Sequence, residues 1–268
     1  MVKKAIIPAA GYGTRSLPIT KVIPKEMFPI GVKPAIQYVV EEAIYSGIEE
    51  ILIIVSRTKN SIVDYFDHSL ELEAFLERKN KTDLLEKEFV PNVQIYYTRQ
   101  AYARGLGDAV KLGKSFVGNE PFAVLLPDDI ILGGEKPAIQ QLIEQYKRTR
   151  ASVLGLKGVE EKNLHKYGVI KGKPNGKQLF EIIDIVEKPK VNPPSNLAVI
   201  GRYVFSPSIF SYLEKLKPIE GEEMQLTDAI KEMLASESCY GHIVKGDRFD
   251  IGSADDYVSL INKMYRSG

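Results

Sequence analysis

The chain has 268 residues, 44 % of them hydrophobic, which is enough to bury one large core, so we expect a single domain over 1–268. Its 36 Lys and Arg nearly balance its 35 Asp and Glu, and this balance excludes a long-range field that would attract a nucleic acid or an acidic membrane. The single cysteine, Cys239, excludes an internal disulfide and favours a reducing compartment, so we expect a cytoplasmic protein. Pro8 and Gly11 interrupt the apolar start, and no run approaches the roughly 18 apolar residues of a membrane helix, so we expect neither export nor a membrane span.

Strand-like and helix-like segments alternate along the first half of the chain. Ile36, Val39 and Ala43 lie three or four residues apart and predict one face of a helix, which ends at Gly47. The other predicted elements of this half are strands at 5–7, 51–55, 94–98 and 122–126 and helices at 108–117 and 137–149. A charged stretch, 70–88, interrupts the alternation, and we interpret it as a helical excursion that forms a lid or a subunit contact.

The second half is richer in strands. They are predicted at 151–156, 168–170, 179–186 and 197–205. Short glycine-containing turns such as 172–176 connect some of them, which predicts antiparallel pairing. Two helical apolar stripes follow, one from Leu226 to Leu234 and one from Tyr257 to Tyr265. The whole pattern predicts an α/β fold, a Rossmann-like mostly parallel mixed sheet with helices on both faces.

The first strand runs into a loop that combines glycines with cations. Gly11 and Gly13 let backbone N–H groups close on an anion. The residues that follow add a hydroxyl and three cations: Thr14, Arg15, Lys21 and Lys25. The spacing excludes a P-loop, and a dinucleotide fingerprint fails because Ser16 stands where its third glycine belongs. Four prolines between 18 and 34 predict a long extended loop in place of a helix. The pattern indicates a phosphate-binding loop, with a plain glycine-rich turn as the alternative.

Carboxylates follow predicted strands at two places far apart in the chain. Asp128 and Asp129 come after the fourth predicted strand, and Asp250 follows V-K-G-D-R-F and precedes Gly252. In doubly wound sheets, ligands bind outside the carboxyl ends of the strands. A single Asp at a strand end is nevertheless more often a turn or a cap. In the same way, Glu187 and Lys188 alone would form an ordinary surface ion pair.

The run from Gly11 to Met27 resembles the signature G-x-G-T-R-x-L-P-x-T-K-x-x-P-K-E-M of the bacterial sugar-nucleotidyltransferases. Further matches follow in order: K-P-A-I-Q-Y-V-V-E-E-A at 33–43, R-Q and G-L-G within 99–107, D-D at 128–129, K-Y-G-V-I at 166–170, V-E-K-P at 186–189, S-N-L-A-V-I-G-R-Y at 195–203, Q-L-T-D-A-I at 225–230 and F-D-x-G at 249–252. Each match is weak alone, whereas the ordered set covers nearly the whole chain. Within the family, the chain is most similar to the UTP:glucose-1-phosphate uridylyltransferases.

This resemblance implies the nucleotidyltransferase fold, which is glycosyltransferase A-like. It implies a nucleotide-binding half at about 1–150 and a sugar-phosphate-binding half at about 151–268. The implied reaction is uridylyl transfer from UTP to glucose 1-phosphate, with Mg²⁺ as the cofactor. The implied partners are these small-molecule substrates and further copies of the chain in a homodimer or homotetramer.

The resemblance also implies roles for individual residues. Arg15 would hold the leaving pyrophosphate, Lys25 the triphosphate and Lys188 the sugar phosphate. Mg²⁺ would bind to Asp128 and Asp250. The nucleotide-binding positions carried over are Ala10, Gly11, Gly13, Thr14, Glu26, Gln100 and Gly105. The sugar-binding positions carried over are Gly168, Glu187, Lys188 and Gly201.

Two of the nucleotide-side positions have specific expected functions. Gln100 can offer one donor and one acceptor to a pyrimidine edge. Gly105 would let the base approach the backbone. Glu26 would lie either near the uracil or in support of Lys25, and the sequence leaves this choice open.

Four positions depart from the family pattern and lie near the nucleotide. Pro127 stands where Gly or Ala is usual, Ser16 replaces a bulky apolar residue, Asp108 replaces a His and Ile251 replaces a Cys. These departures affect the expected choice of base more than the expected type of reaction. Thymidylyl transfer, cytidylyl transfer and the use of a different sugar 1-phosphate therefore remain alternatives. A sugar-nucleotide-binding regulator without turnover is a further alternative. An NAD-dependent dehydrogenase would need the missing third glycine.

Overall fold

The computed structural model describes residues 1–87, 91–217 and 221–267. Its strands are β1 (Lys4–Ala9), β2 (Pro29–Ile30), β3 (Lys33–Pro34), β4 (Glu50–Val55), β5 (Gln94–Arg99), β6 (Phe122–Leu125), β7 (Asp129–Leu132), β8 (Ser152–Gly158), β9 (Gly168–Pro174), β10 (Leu179–Glu187), β11 (Leu197–Phe205), β12 (Cys239–Ile243) and β13 (Asp247–Asp250). Its helices are α1 (Ala35–Tyr45), α2 (Asn60–Phe66), α3 (Leu70–Arg78), α4 (Leu106–Leu112), α5 (Lys114–Val117), α6 (Ala138–Thr149), α7 (Ile209–Lys215), α8 (Leu226–Met233) and α9 (Ala254–Ser267). Within the three described ranges, no helix combines the length and the apolar character needed to cross a membrane.

Nine strands form one mixed sheet in the order β5-β4-β1-β6-β11-β8-β12-β10-β9. Strands β10 and β11 run antiparallel to their neighbours, and the other seven share one direction. The prediction of a mostly parallel mixed sheet is confirmed. Two short pairs stand apart from this sheet, β2 with β3 and β7 with β13. The second pair places Asp129 opposite Asp250, which brings together residues from distant parts of the chain.

Side-chain alternation along β1 divides the core into two layers. Ala5 and Ile7 pack into the layer that holds the apolar stripe of α1, whereas Ile6 packs into the opposite layer with the stripe of α8. A strand covered on both faces must be apolar at every position, because successive side chains point to opposite faces. The same reason explains the uninterrupted apolar run at 51–55 in β4, which is buried throughout. Helices therefore cover both faces, as predicted.

The loop after β1 is compact, which corrects the predicted extended loop. Three single turns of 3₁₀ helix occupy it, at Thr14–Ser16, Ile19–Lys21 and Lys25–Met27. Prolines precede the second and third turns, at Pro18 and Pro24. Proline fixes φ at a value that permits a tight turn but interrupts a longer helix. The segment therefore folds as a series of short turns.

The helix predicted at 108–117 begins earlier, at Leu106, and divides at Gly113 into α4 and α5. A Cβ built on Gly113 would lie 2.3 Å from Cδ1 of Ile6 in β1. The close approach to the sheet thus requires glycine, which has a low helix propensity. Packing against β1 accounts for the break.

Two other predictions need smaller adjustments. The turn predicted at 172–176 is shorter, because β9 continues to Pro174. The excursion predicted at 70–88 is helical as expected, with α3 followed by a 3₁₀ helix at Thr82–Lys87. Its last residue, 88, lies outside the described residues.

Candidate active site

A cleft with a volume of about 1130 Å³ lies beside the carboxyl ends of β1 and β6, where doubly wound sheets bind their ligands. The predicted site residues that line it are Thr14, Arg15, Lys25, Asp128, Gly168, Glu187, Lys188, Gly201 and Asp250. The predicted residues outside its lining are Ala10, Gly11, Gly13, Glu26, Gln100 and Gly105. The fold therefore brings the residues that follow the two glycines, both predicted metal carboxylates and the predicted sugar-side pair to one cleft.

Arg15 and Lys25 contact the two carboxylates of this cleft. Nη1 of Arg15 lies 2.8 Å from Oδ2 of Asp250, and Nη2 lies 3.8 Å from Oδ2 of Asp128. Nζ of Lys25 lies 2.5 Å from the same Oδ2 of Asp128. Burial alone would raise the pKa of the Asp128 carboxyl, but Lys25 and Arg15 outweigh burial and hold that pKa below its ordinary value. Asp128 is therefore ionised at neutral pH.

Asp128 and Asp250 are chemically suited to a hard divalent cation. Both carboxylates approach the guanidinium of Arg15, so they flank a position where positive charge is stabilised. Mg²⁺ is commonly held by one or two carboxylates together with phosphate oxygens and waters. Among the described residues, no three His, Cys, Asp or Glu side chains cluster as metal ligands. Phosphate oxygens and waters would therefore have to complete the coordination.

Asp129 serves a different purpose from its neighbour Asp128. Its Oδ2 accepts a hydrogen bond from the backbone N–H of Gly201 at 2.7 Å, and its Oδ1 accepts one from Nη2 of Arg248. Arg248 in turn stacks on the ring of Tyr167, 4.8 Å from its centroid, and donates to the Tyr167 hydroxyl. A Cβ on Gly201 would lie 2.8 Å from Oδ2 of Asp129. The same Cβ would lie 2.6 Å from Cβ of Leu126, so close packing against both Leu126 and Asp129 explains Gly201, and Asp129 orders the wall of the cleft.

A buried ion pair fixes the segment that carries Asp128. Arg202 is fully buried, and its Nε and Nη2 donate to the two carboxylate oxygens of Glu42 at 2.9 and 2.7 Å. Its Nη1 and Nη2 also donate to the carbonyl oxygens of Leu126 and Asp129, at 3.1 and 2.8 Å. Since these two residues flank Asp128, Arg202 holds the segment on both sides of the carboxylate.

On the sugar side of the cleft, Glu187 is oriented by its neighbours. Its Oε2 accepts a hydrogen bond from Oγ1 of Thr227 at 2.6 Å, and its Oε1 lies 3.2 Å from Nζ of Lys188. A Cβ on Gly168 would lie 3.3 Å from the same Oε2, so a side chain there would crowd the carboxylate. Lys188 itself has a φ of 44°, a left-handed conformation that costs energy for a residue other than glycine. Strain of this kind is often found at functional sites.

Glu26 lies beneath the cleft. Its carboxylate is buried, and Nζ of Lys59 donates to both of its oxygens at 2.9 and 2.8 Å. Burial lowers the pKa of the Lys25 ammonium, but the negative charges of Asp128 and Glu26 outweigh burial and raise it. Between the two expectations for Glu26, this arrangement favours support of Lys25, because the Lys59 ammonium already occupies both oxygens.

Gln100 is buried, and the protein itself holds its amide. Nε2 donates to Oδ2 of Asp108 at 2.7 Å and to the carbonyl of Gly105 at 3.3 Å. The expected two-sided use of this amide is therefore corrected, since its N–H groups are engaged inside the protein. Gly105 has a structural reason to be glycine that the sequence did not indicate. It has a φ of 102°, and a Cβ there would lie 2.6 Å from the carbonyl oxygen of Met224, so packing against Met224 requires glycine.

Sequence reasoning missed several residues that shape this site: Lys59, Tyr167, Arg202, Thr227 and Arg248. Arg248 carried a usable signal, because residues two apart on a strand share a face and Arg248 precedes Asp250 by two. Thr227 lay within a recognised motif but was counted only as part of a helix. Lys59 gave no local signal, since its partner Glu26 is 33 residues away. Arg202 lay within the recognised run 195–203, but nothing in that run indicated its partner Glu42, 160 residues away.

The fold and the cleft together define an α/β enzyme that binds phosphorylated small molecules at the ends of its strands. Residues 4–267 match the family model described as Nucleotidyl transferase. The chain belongs to the nucleotidyl transferase family.

Individual relatives are similar to this chain over nine-tenths or more of their length. The chain is 49 % identical over 260 residues to UTP–glucose-1-phosphate uridylyltransferase from Staphylococcus epidermidis. The aligned region covers 96 % of this chain and 90 % of the relative. A protein from Bacillus subtilis that provisionally carries the same name is 57 % identical over 267 residues, or 100 % of this chain and 98 % of the relative. The crystal structure of a UDP-glucose pyrophosphorylase complexed with UDP-glucose is similar with a TM-score of 0.88 and 41 % identity, covering 100 % of both chains.

Proposed function

We propose that this chain transfers the uridylyl group of UTP to glucose 1-phosphate, giving UDP-glucose and pyrophosphate. One observation carries the proposal. A single cleft joins two cations and two carboxylates near the glycine loop to the Glu187 and Lys188 pair. The first set suits a triphosphate and the second a sugar phosphate. The names of the relatives support uridine and glucose as the two parts of the product.

The chemistry requires two polyanions to meet. A phosphate oxygen of glucose 1-phosphate attacks the α-phosphorus of UTP in line, and the bond from that phosphorus to the bridging oxygen breaks. Pyrophosphate leaves with the electron pair. Positioning and charge neutralisation are sufficient for such a reaction, so a covalent intermediate on the protein is unnecessary.

The residues of the cleft divide this task. Arg15 neutralises the pyrophosphate as it leaves, and Lys25 binds the triphosphate. Lys188 holds the phosphate of the incoming sugar so that its oxygen faces the α-phosphorus. Glu187, oriented by Thr227, accepts hydrogen bonds from the sugar hydroxyls.

Nucleotidyl transfer of this kind uses a divalent metal, and we assign Mg²⁺ as that metal with Asp128 and Asp250 as its protein ligands. When bound, it would neutralise phosphate charge and polarise the α-phosphoryl group. Asp129 is left out of this set because its side chain is the least exposed of the three, 6 % against 19 % for Asp128 and 11 % for Asp250, and is bound to Gly201 and Arg248 in the wall of the cleft. We keep a cytoplasmic location and a homodimer or homotetramer as predictions.

The test is a pyrophosphate-release panel in which UTP, dTTP, CTP and ATP are each combined with several sugar 1-phosphates. We expect UTP with glucose 1-phosphate to give the highest kcat/KM. Preference for dTTP or CTP would instead identify a different nucleotidyltransferase. Tight binding of UDP-glucose without turnover of any pair would identify a regulator.

A further inference from the structure

The amide of Gln100 can adopt only one of its two orientations. Its Nε2 donates to the carboxylate of Asp108 at 2.7 Å and to the carbonyl of Gly105 at 3.3 Å. A carboxylate and a carbonyl can only accept hydrogen bonds. Rotating the amide by 180° would point its own oxygen at both acceptors, which is repulsive. The two partners therefore fix the positions of the nitrogen and the oxygen of the amide.

The position of this amide is itself well supported. The backbone N–H of Gln100 donates to the carbonyl of Val55 at the end of β4. Two backbone hydrogen bonds hold the Gly105 loop against Met224: Met224 N–H to the carbonyl of Arg104 at 2.7 Å, and Gly107 N–H to the carbonyl of Met224 at 2.8 Å. The acceptors of Gln100 are thus held by structure that does not depend on a ligand.

In this fixed orientation, the side-chain oxygen is the only polar atom of the Gln100 amide that is available to a ligand. That oxygen can accept hydrogen bonds but cannot donate them. Among the residues that the structure describes, no donor contacts that oxygen. The N3 position of uracil and of thymine is a donor, whereas the N3 position of cytosine is an acceptor. An immobilised acceptor would bind the first two bases and repel the third. A freely rotating glutamine would accommodate all three, because it can present either end.

We infer that Asp108 is a specificity-determining positioning residue: it locks the Gln100 amide so that the site accepts pyrimidines with a protonated N3 and rejects cytosine. This inference rests on the proposed function and on the expected role of Gln100 at the base. Gln100 adjoins the cleft without lining it, since its partner Gly105 directly precedes Leu106 of the cleft lining. Asp108 acts through Gln100 and does not itself contact the nucleotide. It stands at one of the positions where the chain departs from the family pattern.

A purely structural role for Asp108 makes a different prediction. Asp108 lies in the first turn of α4, where a negative charge stabilises the helix through its dipole. Asp108→Asn removes that charge but keeps an oxygen that can accept from Gln100. Asp108→Ala removes the acceptor while placing the best helix former in the same turn. The two variants therefore separate helix stabilisation from amide orientation.

The experiment measures kcat/KM with UTP, dTTP and CTP for the unmutated protein and both variants, with calorimetric binding of the three nucleotides in parallel. In Asp108→Ala we expect the preference for UTP over CTP to fall roughly tenfold, the effect of one hydrogen bond. The ratio of UTP to dTTP should stay constant, because uracil and thymine share the N3 donor. Asp108→Asn should keep both ratios, and Asp108→Ala should have no further effect on them in a Gln100→Leu background.

An unchanged UTP to CTP ratio in Asp108→Ala would overturn the inference, and so would an equal loss for all three nucleotides. Equal use of UTP and CTP by the unmutated protein would overturn it as well. Failure of the proposed function looks different, since either dTTP or CTP would then be the preferred nucleotide of the unmutated protein, or no pair of substrates would support turnover. If no pair of substrates supports turnover, the ratio of the binding affinities for UTP and CTP still tests the role of Asp108.

Discussion

The backbone of Gly252 packs directly against the guanidinium of Arg15. A Cβ built on Gly252 would lie 2.4 Å from Nη2 of Arg15 and 3.0 Å from Oδ1 of Asp250. Because the guanidinium is the far end of a flexible side chain, it can move aside at low cost. A methyl group at 252 would therefore displace Arg15 from Asp250 without disturbing the core.

We expect Gly252→Ala to lower kcat at least about tenfold while leaving the free energy of unfolding nearly unchanged. Arg15→Ala provides the reference, since loss of a preorganised charge at a developing anion costs on the order of 10²-fold in rate. Steady-state kinetics with urea denaturation measure both quantities. Full activity of Gly252→Ala would show that the position of Arg15 relative to Asp250 does not matter for turnover.

The paired aspartates should respond differently to the same substitution. Asp128→Asn and Asp250→Asn should each raise the Mg²⁺ concentration needed for half-maximal rate, because each removes a charged oxygen ligand. Asp129→Asn should leave the Mg²⁺ requirement unchanged but lower the free energy of unfolding by about 3 kcal/mol, since it leaves the nearly buried Arg248 without its charged partner. A magnesium titration and a denaturation curve for each variant test this. Greater magnesium sensitivity at 129 than at 128 would reverse our assignment.

Two substitutions at Lys188 separate the charge from the backbone strain. Both Lys188→Ala and Lys188→Gly remove the ammonium group, so both should raise the KM for glucose 1-phosphate to a similar extent. With φ at 44°, alanine keeps the steric cost and glycine does not. Lys188→Gly should therefore be about 1 kcal/mol more stable than Lys188→Ala. Equal stability would mean that this backbone is not strained.

Acidification should destabilise the fold through His242. This side chain is buried, and its Nδ1 has no hydrogen-bond partner among the described residues. Burial lowers the pKa of His242 below its ordinary value of 6.5. The unfolded chain then binds the proton more tightly than the folded one, so stability is lost as the pH falls from about 6.5 through the lower folded pKa.

The matching measurement is urea denaturation at pH 7 and pH 5. His242→Gln should reduce the loss of stability between these two values. His165→Gln alters an exposed histidine and should keep the loss seen in the unmutated protein. An identical loss in all three proteins would assign the pH dependence to other groups.

The sequence allowed the sheet and the cleft residues to be predicted where the signal was local. The uninterrupted apolar run of β4 and the apolar stripe of α1 can each be recognised from residues that lie close together in the sequence. The difference between Asp128 and Asp129 could not be predicted in this way. Adjacent side chains at the start of a strand point in opposite directions, and their partners, Lys25 and Arg248, lie 103 and 119 residues away.

Glu26 shows a second limit of prediction from sequence. It lies within the most distinctive motif of the chain, yet the structure places it in a buried ion pair with Lys59. The presence of a residue in a motif does not tell whether that residue contacts the ligand or supports another residue that contacts it. The division of the chain into a nucleotide half and a sugar half stays a prediction.

The ion pair of Arg202 and Glu42 has a consequence for how inherited variation in this chain would be interpreted. Both residues lie in the core, so a substitution at either would ordinarily be classed as a folding defect. Because Arg202 also holds the carbonyl oxygens on both sides of Asp128, loss of this ion pair would displace a carboxylate of the cleft as well as destabilise the core. Reduced turnover in such a variant would therefore have two separate physical causes.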